Sequence, residues 1–453
     1  MELSIAANLS TISFFAAIAF TGFFRTIAKY FNILIDLPDK NRKFHKRPTP
    51  LVGGLGIHMA MLFGLLMLYI NVDMKFYDQE RSLSSIKSSF EVNEFKDKKA
   101  YEINAEIIGD ESLAKKLIEV YVKGQEEPLR ISLNESGHFE YLAPNGRTNT
   151  YKYENGEVIN IDTNEQVYVE GKDDSSFFAV DETMLAIILA AVLFQIYMLR
   201  DDLYGMTQIR RLLIQSLASL IVIIISGEFI KNIGFEVFDW NGDLGSFGIP
   251  FTIFAVTGII NAFNMIDGIN GLCSGLALVV FVCLSVISGG SAMTYGLLII
   301  MSSIIGFMIY NLGFVGKKRS VFLGDNGSNF LGFIIAWSCI HYSSSQIMSI
   351  NPITALWLVA IPLWDCILMI CYRVLNRRAV FEGDRNHIHH IIYDRFNFSE
   401  NMTLLILLIL GLILGLIGLY FDQNINPLSS LLLFILCGVI FGIAKHRIAT
   451  RVY

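Results

Sequence analysis

Eleven stretches of this chain stay apolar long enough to cross the ~30 Å hydrocarbon core of a bilayer as an α-helix. They lie near 4–24, 51–72, 183–199, 212–229, 247–266, 268–289, 292–315, 327–345, 352–371, 402–421 and 427–445. Inside a bilayer every backbone N–H and C=O must find a partner within the protein, so only helices and closed barrels span it. These runs are continuous rather than alternating, which selects helices. A composition that is 53% hydrophobic and 12% aromatic over 453 residues fits the same class. The expected fold is an all-α polytopic membrane protein of about eleven transmembrane helices. The first stretch has no basic segment before it and Arg25 follows it, so it reads as an uncleaved helix rather than a leader.

The formal net charge of −6 averages two unlike parts. Residues 73–182 hold 13 Lys and Arg against 24 Asp and Glu, and the rest of the chain is net basic. Segments 25–50, 200–211, 316–326, 372–401 and 445–453 carry 7, 3, 3, 5 and 3 basic residues, whereas the opposite connections, apart from the insert, carry only Lys231. The positive-inside rule makes the first set cytoplasmic. The N-terminus is then outside and the C-terminus inside, as an odd number of crossings requires. Residues 1–72 would form the first two helices, 73–182 an extracytoplasmic insert, and 183–453 the remaining nine. Within the insert, "YEINAEI", "LIEVYVKG", "TYKYENGEVINI" and "EQVYVEG" alternate polar and apolar residues between Gly and Asn-Gly turns. That pattern predicts a small antiparallel β domain. The six cysteines all fall in apolar segments and show neither a disulfide framework nor metal-ligand spacing.

The unusual polar residues fall in five clusters. They are "LIDLPDKNRKFHKRPTPLVGG" (34–54), "LRDDLYGM" (199–206), "NAFNMIDGINGL" (261–272), "VFLGDNGSNFLG" (321–332) and "IPLWDCILMICYRVLNRRAVFEGDRNHIHH" (361–390). On this topology all five lie at the cytoplasmic face. Asp201, Asp202, Asp267 and Asp325 are hard oxygen donors of the kind that bind Mg²⁺ or Mn²⁺. Arg42, Lys43, His45, Arg385, His387, His389 and His390 are donors suited to phosphate oxygens. Carboxylates with a divalent cation and basic residues around a diphosphate make up the general apparatus of phosphoryl transfer. Taken singly, each cluster has an ordinary explanation: a solvated helix end, a lipid-facing basic anchor, a loop partner. Asp365, within the ninth stretch, suits a helix-packing role as well as a functional one. Their convergence on one face makes a shared site the economical reading.

In order, these motifs resemble those of the polyprenyl-phosphate N-acetylhexosamine-1-phosphate transferases. The resemblance covers the whole membrane part, about three quarters of the chain. It is carried by Asp36, Pro38, Arg42, Lys43, His45, Pro48, Pro50 and Gly53-Gly54; by Asp201-Asp202; by Asn264-Met265-x-Asp267-Gly268-x-x-Gly271-Leu272; by Gly324-Asp325-x-Gly327-Ser328; by Pro362 with Asp365; and by His387-x-His389-His390. The resemblance implies a reaction in which undecaprenyl phosphate attacks the β-phosphorus of a UDP-N-acetylhexosamine and UMP leaves. It implies Mg²⁺ (or Mn²⁺) as cofactor. Asp325, Asp202 and Asp267 would be metal ligands, and Asp201, Asp202, Asp267 and His389 the catalytic set. Asp201 would act as base or orient the lipid phosphate. Arg42, Lys43, His45, Asn264, Asn270, Arg385, His387 and His390 would bind substrate. The H-x-H-H form is similar to that of members using UDP-N-acetylglucosamine.

Two positions depart from the family pattern. Asn270 stands where a second carboxylate is usual, and Arg200 precedes Asp201 where a small or apolar residue is usual. The implied partners are the UDP-sugar, undecaprenyl phosphate and membrane lipid in a bacterial inner membrane, with no nucleic acid polymer. A homodimer and an extracytoplasmic partner for the insert both stay open. An ion-coupled transporter or lipid flippase is the other class that uses intramembrane carboxylates. It would place them near the bilayer midplane between repeated halves. Here they gather at one face, and no repeat is evident.

Overall fold

A computed structural model of the chain describes residues 2–38, 47–82, seven strands between 103 and 167, and residues 182–236, 240–288, 292–344, 350–379 and 385–450. The chain divides into two compact units, Met1–Ile70 with Val180–Tyr453, and Asn71–Ala179.

The larger unit is helical. It begins with α1 (Glu2–Phe31), a two-residue antiparallel pair of β1 (Ile35–Asp36) with β2 (Thr49–Pro50), and α2 (Gly53–Ser82), which runs on past the unit's boundary. After the smaller unit come α3 (Glu182–Tyr204), α4 (Gln208–Ser226), α5 (Gly248–Ile266), α6 (Leu272–Ile287), α7 (Ala292–Asn311) and α8 (Gly324–Tyr342). The chain finishes with α9 (Pro352–Leu358), α10 (Ala360–Leu375), α11 (Ile388–Phe396), α12 (Glu400–Asn424) and α13 (Pro427–Thr450). In the smaller unit, β3 (Ile103–Ile108), β4 (Leu117–Val122) and β5 (Leu129–Ser132) form one antiparallel sheet. A second antiparallel sheet holds β6 (His138–Leu142), β7 (Thr148–Glu154), β8 (Glu157–Asn160) and β9 (Gln166–Val167).

Among the described residues eight helices are long and apolar enough to cross a membrane, which makes the chain a multi-pass membrane protein; α9 and α10 together form a ninth such segment bent by 83°. The bend has a local cause. Pro362, in the first turn of α10, has no N–H to give to Leu358, and its ring crowds that carbonyl. The helix therefore breaks at Val359, where Leu363 N–H restarts the ladder at 3.0 Å. Two other segments of the expected eleven differ in kind. Helix α6 has only 16 residues, and α8 begins with the polar turn Gly-Asp-Asn-Gly-Ser-Asn. Helix α6 is apolar but short, with Val282 and Val286 exposed, whereas nearly all of α8 is buried, against α3, α5, α6 and α9. A helix covered on all sides by neighbours has no need to be apolar toward lipid.

Close backbone approaches set this packing. At the crossing of α2 and α8, a Cβ on Gly54 would overlap Asn326 Oδ1 and the backbone of Gly327. Further along α8, Gly332 lies against the backbone of Ile260 in α5. A cavity of about 310 Å³ lies at the far end of the bundle, between the last residues of α4, α8 and α12 and the first of α9 and α13. Overpacking a tight crossing costs about 1–3 kcal/mol. Gly54→Ala should therefore lower the thermal unfolding midpoint of the protein in detergent, while alanine at Gly258, which meets nothing, should leave it nearly unchanged.

Candidate functional site

The first polar loop and the segment before α8 are joined through their backbones. Leu51 N–H donates to Leu34 O at 2.7 Å, and Phe322 N–H to Pro50 O at 2.9 Å. Gly53 and Gly54 then donate to Phe322 O and Leu323 O, each at 3.0 Å. Gly324, at φ +78°, turns the chain into α8 in a left-handed conformation that a side chain would resist. Leu34, Pro50 to Gly54 and the residues leading into Gly324, far apart in sequence, are thus joined.

The end of α3 brings two carboxylates to this junction. Asp202 Oδ2 accepts from the backbone N–H of Asn326 at 3.2 Å and from the Asn326 side-chain amide. Asn326 is itself held by Gln195, whose Nε2 donates to Asn326 Oδ1 at 2.9 Å, and it donates to Leu51 O at 3.3 Å. Asp201 is buried and pairs with Arg211 Nε of α4 at 2.5 Å. The same guanidinium reaches Asp325 Oδ2 through Nη1 at 3.0 Å. One arginine thus ties the single carboxylate of α8's first turn, Asp325, to the first of α3's pair, Asp201.

The end of α5 closes the cluster. Asn264 Nδ2 donates to Ser328 Oγ at 2.9 Å and to Asp325 Oδ1 at 3.3 Å. Asp267 is partly buried just beyond α5. Burial, reinforced by the negative charges of Asp325 and Asp202, pushes its carboxyl up to about 8. Asn270 lies slightly apart: its Oδ1 is 3.5 Å from Asn311 Nδ2, an amide that also donates to Val321 O at 2.9 Å.

The histidine segment reaches this cluster through a glycine. His389 packs so closely on Gly268 that a Cβ there would overlap its Nε2. His389 is 1% exposed, and neither of its ring nitrogens has a hydrogen-bond partner among the described residues. Burial holds its imidazole well below the ordinary histidine range, with His390 and His387 adding to the effect. His390 is likewise lowered, to about 4, by burial and then by Arg385. The segment is anchored from behind by Asp365, which accepts from His387 Nδ1 at 2.7 Å and from the Ile388 N–H at 3.0 Å. Arg385 pairs with Asp394 of α11 at 3.1 Å on an exposed surface. Arg42, Lys43 and His45 lie outside the described residues.

The structure thus gathers Asp201, Asp202, Asn264, Asp267, Asp325 and His389 at one end of the bundle, with His387 and His390 beside them. The cavity at the far end shares no residue with them. The donors are hard oxygens, and the closely grouped, mutually repelling carboxylates fit a divalent cation chemically. As they stand, however, no three His, Cys, Asp or Glu side chains among the described residues form a ready metal cage. Asp202 is engaged by Asn326 and Asp325 by Arg211.

Sequence reasoning gives no site role to Arg211, Asn326 and Gln195, and reaches Ser328 only as the last residue of the Gly324–Ser328 motif. Gln195 carried a usable signal, since a polar residue within an apolar span, two turns before Asp202, must find a partner. Arg211 had been counted only as a topological charge.

Comparison with known proteins gives a consistent result. Residues 184–343 match the model for glycosyl transferase family 4. The chain is 33% identical over 252 residues to an undecaprenyl-phosphate alpha-N-acetylglucosaminyl 1-phosphate transferase of Yersinia pestis, covering 54% of this chain and 69% of that protein. The protein of the same name in Escherichia coli K12 is 31% identical, with 54% and 68% covered. A probable undecaprenyl-phosphate N-acetylglucosaminyl 1-phosphate transferase of Bacillus subtilis is 30% identical, with 56% and 70% covered.

Because folding keeps His389 and His390 neutral, the stability they confer is fully present above their unfolded value near pH ~6.5. It is lost as pH falls toward the folded value of His390, about 4. The thermal midpoint of the detergent-solubilised protein should therefore drop between pH 6.5 and 4.5. His390→Gln should make that pH dependence measurably shallower.

Proposed function

This chain belongs to glycosyl transferase family 4, and from that premise we propose that it transfers N-acetylglucosamine 1-phosphate from UDP-N-acetylglucosamine to undecaprenyl phosphate. A phosphate oxygen of the lipid attacks the β-phosphorus, the bond from that phosphorus to the oxygen of UMP breaks, and UMP leaves. The product is a lipid-linked diphosphate sugar, the starting unit of a cell-envelope polysaccharide. The observation that carries this reading is the convergence of Asp201, Asp202, Asp267, Asp325 and His389 at one end of the bundle, where a lipid headgroup and a water-soluble nucleotide can meet.

The chain's own groups have distinct tasks in this reading. Asp202, Asp267 and Asp325 hold Mg²⁺. The ion, when bound, neutralises the diphosphate and the charge that develops on the leaving UMP. Arg211 fixes Asp201 and Asp325 relative to each other. Asp201 orients the lipid phosphate; no strong base is needed, since the second ionisation of a phosphate monoester lies near pH ~6. His387, His389 and His390 meet the nucleotide-sugar, and Asn264 steadies Asp325. Arg42, Lys43 and His45, between β1 and β2 in sequence, would meet the phosphates.

We read eleven crossings in a bacterial inner membrane, counting α9 with α10 as one bent span and adding α6 and α8. The carboxylate end is then cytoplasmic and residues 73–182 are extracytoplasmic. The charge distribution of the loops supports this orientation.

The deciding experiment is an assay for UMP release from UDP-N-acetylglucosamine with undecaprenyl phosphate and Mg²⁺ in detergent. UDP-N-acetylgalactosamine serves as the competing donor. Release that depends on both lipid and metal supports the proposal, and its absence from a folded preparation refutes it. Asp325→Asn and Asp202→Asn should each lose nearly all turnover while remaining folded and inserted. Near-normal turnover at low millimolar Mg²⁺ would remove the metal assignment.

The insert yields a separate expectation. Across ~30 Å of hydrocarbon it cannot touch a cytoplasmic site. Replacing roughly residues 76–178 with a short Gly/Ser linker should preserve UMP release by the purified enzyme. A cysteine at Ser136 should be labelled by an impermeant reagent from outside the cell. Labelling only from the cytoplasm would invert the topology.

A further inference from the structure

We propose that Lys445, in the last helix α13, is a positioning residue for the histidine segment and acts through the carboxylate of Asp365. What the histidines then contact rests on the transferase reading above.

Asp365 is 1% exposed and receives three donors: His387 Nδ1 at 2.7 Å, the Ile388 backbone N–H at 3.0 Å, and Lys445 Nζ at 2.6 Å. Each donor belongs to a different task. Ile388 opens α11, and its N–H is one of the groups that a helix start leaves without an internal partner. His387 stands at the N-cap but makes no side-chain capping bond of its own. The cap therefore comes from a separate helix. Among the described residues Lys445 supplies the ammonium on Asp365, and it is itself buried at 7% exposure. A carboxylate with so little water stays ionised only when a cation or several donors face it.

The tautomer follows from the ionised carboxylate. A hydrogen bond between it and His387 Nδ1 requires the proton on Nδ1, which fixes the ring's orientation and leaves Nε2 on the opposite edge. The ring of His387 stacks on that of His389 at 5.7 Å between centroids, nearly parallel at 12°. His389 in turn packs on Gly268, beside Asp267. A continuous series of contacts thus leads from the last helix of the chain to the carboxylate cluster. Lys445 lies outside that cluster and contacts none of its members.

A cation that only neutralises a buried charge and a cation that positions a histidine make different predictions. Lys445→Met removes the ammonium and keeps the length of the side chain. If Lys445 positions the segment, this variant should raise KM for UDP-N-acetylglucosamine about ten-fold or more, the scale on which partners that orient a functional histidine act. KM for undecaprenyl phosphate and the Mg²⁺ titration should stay near wild type. Amide hydrogen exchange over Ile388–Ile392 should quicken in the variant, a readout that requires no activity. Lys445→Arg should recover most of the loss in KM.

Should Lys445→Met insert poorly, the double variant Asp365→Asn with Lys445→Met removes both charges of this buried pair and should fold. It should still show the raised KM, because an amide cannot accept from both sides as a carboxylate does. The proposal is overturned if the double variant returns to wild-type KM. It is also overturned if Lys445→Met lowers only the active fraction, or if exchange over Ile388–Ile392 is unchanged. Failure of the wild-type enzyme to release UMP would refute the transferase reading instead, and the exchange result would still decide the positioning role.

Discussion

The first turn of α8 is the feature on which the site depends. A helix start leaves backbone N–H groups without internal partners, and at this one the donor is Asn326 and the acceptor is the Asp202 carboxylate from α3. The side chain of Asn326 extends the same bond to Gln195 and to the backbone at Leu51. Gly53 and Gly54 meet the residues just before α8. One turn therefore fixes α2, α3 and α8 together and sets Asp325 where Arg211 and Asn264 can reach it. The same device recurs at α11, where Asp365 of α10 receives the first N–H. In both places a carboxylate from an apolar helix caps a helix that bears functional groups. Polar residues in an oily bundle are thus spent on holding other polar residues in position.

Directly beneath this turn, the crossing of α4, α5 and α8 is tied by amides. Asn261 donates to Gln215 Oε1 at 2.8 Å, Gln215 to Asn329 Oδ1 at 2.9 Å, and Asn329 to the carbonyl of Asp325 at 2.7 Å. In a low-dielectric interior an amide left unpaired costs several kcal/mol on the order of 1–3. A slip of α4 by a turn would break both inter-helix amide bonds, and a slip of α5 or α8 would break one of them. Apolar contacts between Leu and Ile side chains tolerate such slips far better, so the network sets the register that dispersion alone leaves loose. Asp325 keeps its distance to Arg211 and Asn264 because its own carbonyl belongs to that network.

Much of this could be read from the sequence because hydrocarbon imposes a simple code. Long apolar runs marked the helices, and basic loops marked one face. The carboxylate, glycine and histidine motifs then fell on that face as a group. What could not be read was contact. Arg211 and Lys445 look like ordinary topological charges, and nothing local distinguishes them from Arg210 or Arg447. Their acidic partners, Asp201 with Asp325 and Asp365, come from other helices, and helix-to-helix pairing is set by tertiary packing. Asp365 itself was noticed without an assigned task for the same reason. The eleven apolar runs fall on eight long apolar helices, one bent pair, the short apolar α6, and α8, which protein covers. Hydropathy reports what lipid would accept. It is silent on a segment such as α8 that other helices enclose.

The charge balance of the cluster bears on how a diphosphate could approach it. Asp201, Asp202, Asp267 and Asp325 lie together, and among their ion pairs the described residues supply one guanidinium, that of Arg211. Two like charges about 5 Å apart repel by roughly 3 kcal/mol at an effective dielectric near 20, so the surplus cannot be ignored. The protein relieves part of it by raising Asp267 to about 8, which keeps that carboxyl protonated at neutral pH. A nucleotide diphosphate brings further negative charge and would meet the remaining carboxylates unfavourably. A divalent cation held by these carboxylates, as proposed above, would reverse this relation: the Asp267 proton would be released and the carboxylates would become ligands instead of repellents. Proton release on binding is therefore the physical signature by which such a cation would announce itself at Asp267. On the proposed reading, the acidic cluster would discriminate between a bare nucleotide and its metal complex before any chemistry begins.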